Sequence, residues 1–224
     1  MPSDDRVTSG MPGLDSLIEG GFVKNSINLV TGETGTGKTI FGLQYIWEGL
    51  QKGEHGVFVS LEEEPEALFD DVKRFGWNFE PYIKNGKCII EFLPTWKLEE
   101  LPIMVTEKIN SIKAKRFVLD TLSLVCSRLD KIAIRSEIAE FLKELRKAGV
   151  TTLLLSEIPE DTKKLSRFGV EEFLADGILI LNYLDFVVGG SPRSLIIRKM
   201  RRTDHGTDVY PIKFTKNGIS VIKK

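Results

Sequence analysis

Residues Thr31 to Ile40 read TGETGTGKTI. They follow SINLV (26–30), an apolar run with β-branched residues, and precede FGLQYIWEGL (41–50), which has helical spacing. Glycine disfavours the interior of both elements, so three glycines in this stretch mark a loop whose backbone geometry is wanted for itself. Gly32 to Thr39 fits G-x-x-x-x-G-K-[ST] without exception. Glycines let successive backbone N–H groups turn inward into an anion-holding nest, and the following helix aims its positive N-terminus at the same place. A lysine at the Lys38 position reaches β- and γ-phosphates, and a hydroxyl at Thr39 ligates Mg²⁺. With strand and helix flanks in order, the stretch reads as a nucleoside triphosphate loop rather than a plain glycine-rich turn. Thr34, Gly35, Thr36, Gly37, Lys38, Thr39 and Ile40 are the candidate contacts.

Outward from this loop, strand-like and helical segments alternate. Ile40, Leu43, Ile46, Trp47 and Leu50 share one face of the first helix at the spacing expected of an amphipathic element. GVFVSLE is a second strand, and PEALFDDVKRFGW a second helix opened by Pro65. CIIEF, a less regular stretch around Trp96, the helix ELPIMVTEKINSIKAK and the strand RFVLD come next. SEIAEFLKELRKAG is an amphipathic helix stopped at Gly149, and TTLLLSEI is another buried strand. The last third is β-rich, with Lys216-Asn217-Gly218 marking a hairpin. The expected architecture is α/β: a mostly parallel central sheet flanked by helices, with antiparallel strands added at one edge by the C-terminal third. Residues 1–224 read as one domain, with no repeat and no linker.

A nucleotide hydrolase of this type needs an acid near its metal at the end of a neighbouring buried strand. RFVLD supplies Asp120. Water activation needs a second acid, and Glu62 and Glu63 emerge at the tip of GVFVSLEEE. A carboxylate there accepts a proton from an attacking water when it lies within hydrogen-bond reach. Taken alone, an acidic triplet is more often a solvated loop.

The bulk numbers exclude some classes. Thirty-one basic and 32 acidic residues give a net charge of −1, so nucleic acid or an anionic membrane would have to be held by a local patch. Two cysteines, Cys88 and Cys126, sit in apolar runs and read as buried thiols. No apolar run approaches the roughly 18 residues of a membrane span, and the N-terminus lacks a leader pattern. A cytoplasmic protein without membrane attachment is expected.

These motifs, taken together, resemble the RecA-like P-loop ATPases, and within them the KaiC-like family with its archaeal RadA-paralogue relatives. TSGMPGLDSLIEGGF before the first strand, GETGTGKT, FVSLEEEPEAL, RFVLDTLS, RFGVEEFLADGILIL and IIRKMRRTDHG all match family segments in order. The resemblance implies a RecA-like core, ATP as the nucleotide and Mg²⁺ as the ion. It also implies a catalytic glutamate pair at Glu62 and Glu63, with Glu62 as water activator and Lys38 assisting at the phosphates. Lys199 and Arg201 match cations that reach the γ-phosphate of a neighbouring subunit, and His205 matches a nucleotide-contacting position. On residues alone, Arg198 to Arg202 would be a solvated edge-strand cluster and His205 a turn histidine.

A shared site implies self-association into a homo-oligomer, a hexameric ring or a filament. A regulatory protein or single-stranded DNA are the further partners the resemblance suggests. For DNA, the relevant segment is IPEDTKKLSRFGVEEF, where Lys163, Lys164, Arg167 and Phe168 are flanked by acids that nearly cancel their charge. The chain carries one domain where the clock-type relative carries two, so clock and kinase functions are not carried over. Two further readings stand beside the ATPase: a nucleotide-gated scaffold with little hydrolysis, and a recombination accessory protein on single-stranded DNA.

Overall fold

The computed structural model describes residues 5–93, 100–125, 131–158, 164–184 and 192–222. The chain opens on a short antiparallel pair, β1 (Arg6–Val7) and β2 (Phe22–Val23). The strand read from SINLV is β3 (Ile27–Gly32), and the glycine-rich loop delivers it into α1 (Lys38–Gln51). Next come β4 (Gly56–Ser60), α2 (Pro65–Lys73), α3 (Glu80–Lys84), β5 (Cys88–Phe92), α4 (Leu101–Ser111) and β6 (Arg116–Asp120). The short α5 (Leu122–Val125), the long α6 (Lys131–Ala148), β7 (Thr151–Glu157), α7 (Glu171–Leu174) and β8 (Gly177–Tyr183) follow. The chain then finishes with β9 (Arg193–Met200), β10 (Val209–Thr215) and β11 (Gly218–Val221).

One nine-stranded sheet collects these strands in the order β11-β10-β9-β8-β3-β7-β6-β4-β5. From β8 to β5 every pairing is parallel, whereas β9, β10 and β11 add antiparallel at the β8 edge. The expected fold class is borne out. Because helices cover both faces, the central strands are buried throughout and alternate residues feed two cores. Val30, Phe58, Val118 and Leu155 face the α1 side with Phe41, Tyr45 and Trp77. Leu29, Val57, Phe117 and Leu154 face the other side with Val105, Ile138 and Phe141.

Helix α1 departs from the expected single apolar face. Phe41, Leu43, Tyr45, Ile46 and Leu50 are all buried, while Ile40 and Trp47 are only partly so. A second layer explains this: the N-terminal segment and β11 fold over its outer side. Gln44 joins them, its Nε2 donating to Gly10 O and Ile219 O while its Oε1 accepts from Ile219 N. Boundaries shift too. Helix α4 stops at Ser111 instead of running to Lys115, because Lys113 takes a left-handed turn (φ 53°) into β6. The hairpin pairs Thr215 with Gly218, which places its turn on Lys216-Asn217. Cys88 is buried, and burial pushes its thiol up to about 12, which makes it inert. Cys126, Trp96 and Lys163 lie outside the described residues. Among those described, no helix is long and apolar enough to cross a membrane.

Candidate functional site

Parallel strands all deliver their C-terminal ends to one edge of the sheet, and the site assembles there. Gly37 ends the loop in the left-handed region (φ 106°), and a Cβ on it would stand 2.7 Å from the Phe214 ring. Glycine is required on both counts. No side chain caps the first turn of α1, so its amides and its dipole are left to the loop. The Lys38 ammonium folds back onto the loop's own carbonyls, donating to Gly32 O (2.9 Å) and Glu33 O (3.0 Å). Burial lowers its pKa, opposed by the carboxylates of Glu157, Asp120, Glu62 and Glu33.

Beside it, the Thr39 hydroxyl donates to Asp120 Oδ2 at 2.7 Å. Asp120 ends β6 at 4% exposure. Burial pushes its carboxyl up to about 7, with the Thr39 hydrogen bond pulling the other way. Strand β4 ends alongside, Ser60 opposite Asp120. The Ser60 hydroxyl accepts from the backbone N–H of both Glu62 (3.3 Å) and Glu63 (2.9 Å), which bends the chain so that the glutamates edge the cleft. Partial burial, then the Glu157 carboxylate, raises the Glu62 pKa.

A cleft of about 350 Å³ brings Lys38, Thr39, Glu62, Glu63, Asp120 and Glu157 together with Thr34, Gly35, Gly37 and Ile40. Arg74 and Phe214 also line it. Another cleft, about 390 Å³, opens at the opposite strand ends around His55, Lys113 and Gly149. It lies past the C-termini of α1, α4 and α6, whose dipoles disfavour an anion there.

Lys199, Arg201 and His205 are not brought to this cleft within one chain. Lys199 pairs with Ile178 at the start of β8, whereas the loop lies at its end, about 17 Å away by strand rise. There Lys199 Nζ donates to Glu172 O (3.2 Å) and Ala175 O (2.6 Å), and desolvation followed by Arg201 lowers its pKa. Arg201 meets Asp176 at 3.3 Å. His205 Nδ1 lies 3.0 Å from Gly206 O in the following loop. In the segment read as a DNA candidate, Phe168 is partly buried, packed against the second core. Ser166 and the buried Glu171 tie that segment down by a hydrogen bond of 2.6 Å.

The family profile described as "ATPase: KaiC" matches residues 7–224. The chain belongs to the KaiC ATPase family. Among individual KaiC relatives, the circadian clock protein KaiC3 of Synechocystis is 33% identical over 97% of this chain. The chain spans only 46% of that protein's length, but 95% of a UPF0273 protein of Thermotoga maritima, to which it is 36% identical. The crystal structure of a KaiC-like protein from Pyrococcus horikoshii superposes with a TM-score of 0.89 at 40% identity, covering 98% of this chain and 99% of the other. The family resemblance read from the motifs is therefore borne out.

For this KaiC-family chain, the motifs missed one cleft residue with a readable signal. Glu157 ends β7 opposite Gly32 as Asp120 ends β6, and TTLLLSE has the same apolar-run-then-acid form as RFVLD. Tyr183, Arg193 and Phe214 also border the loop and carry no such signal.

Proposed function

We propose that this chain binds ATP in the Lys38 cleft and hydrolyses it with Mg²⁺, and that residues 1–224 act as one ATPase domain. The observation that carries the reading is the convergence of lysine, hydroxyl and carboxylates beside an uncapped helix N-terminus. Lys38 would leave Gly32 O and Glu33 O for the β- and γ-phosphates, stronger acceptors that suit a partly buried ammonium. Thr39 Oγ1 and Asp120 Oδ2 already meet at 2.7 Å, a hard-oxygen pair of the kind that holds Mg²⁺ along with substrate phosphates. When bound, Mg²⁺ supplies charge neutralisation at the phosphate oxygens. An acid-rich cleft would otherwise repel a triphosphate.

Glu62 takes the proton of the attacking water, and its raised pKa makes it a better base at neutral pH. Glu63 lies next to it on the rim and shares the Ser60 turn. Lys199, Arg201 and His205, remote from their own cleft, serve the neighbour's. Cation-bearing edge and acidic cleft lie at opposite ends of β8 and β9, which suits head-to-tail assembly into a ring or filament. The DNA reading is weaker, since Phe168 is partly taken up by packing against the second core.

The test is Glu62→Gln. ATP affinity should stay at the wild-type value while turnover falls on the order of a hundredfold. Undiminished turnover would remove Glu62 from the role.

A further inference from the structure

A peptide unit is planar and trans, so its C=O and N–H point in opposite directions. At Gly35 (φ 75°) the backbone has no side chain to fix it, and such a peptide flips easily. Here its carbonyl is gripped from outside. Tyr183 Oη, at the end of β8, donates to Gly35 O at 2.8 Å, and Arg193 Nε, at the start of β9, donates to the same oxygen at 3.3 Å. Arg193 Nη2 also reaches Tyr183 Oη (3.3 Å), and its guanidinium lies over the Tyr183 ring at 5.1 Å and the Phe214 ring at 5.0 Å. With the Gly35 carbonyl turned towards β8 and β9, the Thr36 N–H must point the other way. It does: it is directed at Glu33 O at 3.4 Å, a long contact, and Lys38 Nζ occupies that same carbonyl at 3.0 Å. The amide and the ammonium therefore converge on one point.

We propose that Tyr183 is a positioning residue for nucleotide binding. Steadied by Arg193, its hydroxyl holds the Gly35–Thr36 peptide in the orientation that presents the Thr36 amide, beside Lys38, to a phosphate group. The inference rests on the ATP-binding reading and adds to it a residue outside the phosphate-loop motif. Because β9 carries Arg193 at one end and Lys199 at the other, the grip comes from the strand that bears a candidate cation for the neighbour.

Tyr183→Phe keeps the ring under Arg193 and removes only the hydroxyl. The dissociation constant for Mg·ATP should rise roughly three- to fivefold, the worth of one hydrogen bond. Turnover at saturating ATP and the melting temperature should not change. An unaltered dissociation constant overturns the proposal, and so does a loss of binding that merely follows a lowered melting temperature. A second variant checks the geometry. A Cβ at Gly35 would stand 2.8 Å from Tyr183 Oη but 4.0 Å from the next ring carbon. Gly35→Ala should therefore weaken binding more in the wild-type background than in the Phe background, the φ strain being common to both. Additive effects would contradict the grip. If the wild-type protein binds Mg·ATP no better than Lys38→Ala, the ATP reading itself fails and takes this inference with it, an outcome distinct from the others.

Discussion

Asp120 carries the most informative single perturbation, because the carboxyl we propose as a metal ligand sits in a nearly dry site. In the unfolded chain it titrates near the ordinary 3.8, and in the fold near 7, through burial that the Thr39 hydroxyl only partly offsets. The sign follows by linkage. Between those values the folded state binds the extra proton, so this contribution to stability is complete below the unfolded pKa and is lost as pH rises through the folded one. Going from 3.8 to about 7 at about 1.36 kcal/mol per pH unit sets a ceiling on the order of 4 kcal/mol. Water entry, and the loss to Lys38 of an acidic neighbour, reduce what Asp120→Asn recovers to about 2 kcal/mol, or about 4–8 °C in Tm for a chain of this length. The asparagine keeps an oxygen for the Thr39 hydroxyl. Thermal melts of wild type and variant without Mg²⁺ or nucleotide, at about pH 5 and about pH 8, read the effect. Asp120→Asn should be the more stable at both, with an advantage that more than doubles at the higher pH. Adding Mg·ATP should narrow or reverse the difference, stabilising the wild type more than the variant. A variant less stable at about pH 8, or an advantage independent of pH, would refute the buried, charge-poor state assigned to this carboxyl.

Two other outcomes follow from the same cleft. Glu157 raises the pKa of both Glu62 and Lys38, so Glu157→Gln should move the acid and alkaline limbs of the turnover profile to lower pH. Limbs that stay in place or rise would separate Glu157 from both groups. Mixing equal amounts of Arg201→Ala and Lys38→Ala chains leaves about one interface in four intact if each site is shared head to tail. The mixture should regain about a quarter of wild-type ATPase activity, and activity no higher than that of the separate variants would rule out a shared site.

Much of this was legible in the residues because the parts we propose to bind phosphate are local. Gly32 to Thr39 is one contiguous turn between a strand and a helix, and Asp120 stands at the end of an apolar run. The rest depends on pairings across long stretches of chain. Glu157 ends an apolar run as Asp120 does, but only the placing of β7 beside β3, with Glu157 opposite Gly32, brings it into the cleft. Tyr183 and Arg193 meet Gly35 from about 150 residues away. The burial of α1 on its outer side likewise needs β11 to fold across it. Periodicity reports a face that is covered, not how many layers cover the helix. Phe168 shows the converse: in the sequence an aromatic beside lysine and arginine suggests stacking, yet the fold leaves it partly buried against the second core.

The central claim is that the loop at Lys38 grips a triphosphate. Calorimetric titration of Mg·ATP into the wild-type protein and into Lys38→Ala tests it most directly. Saturable binding in the first and its loss in the second, with both chains equally folded, is the predicted result; equal affinity in the two would contradict it.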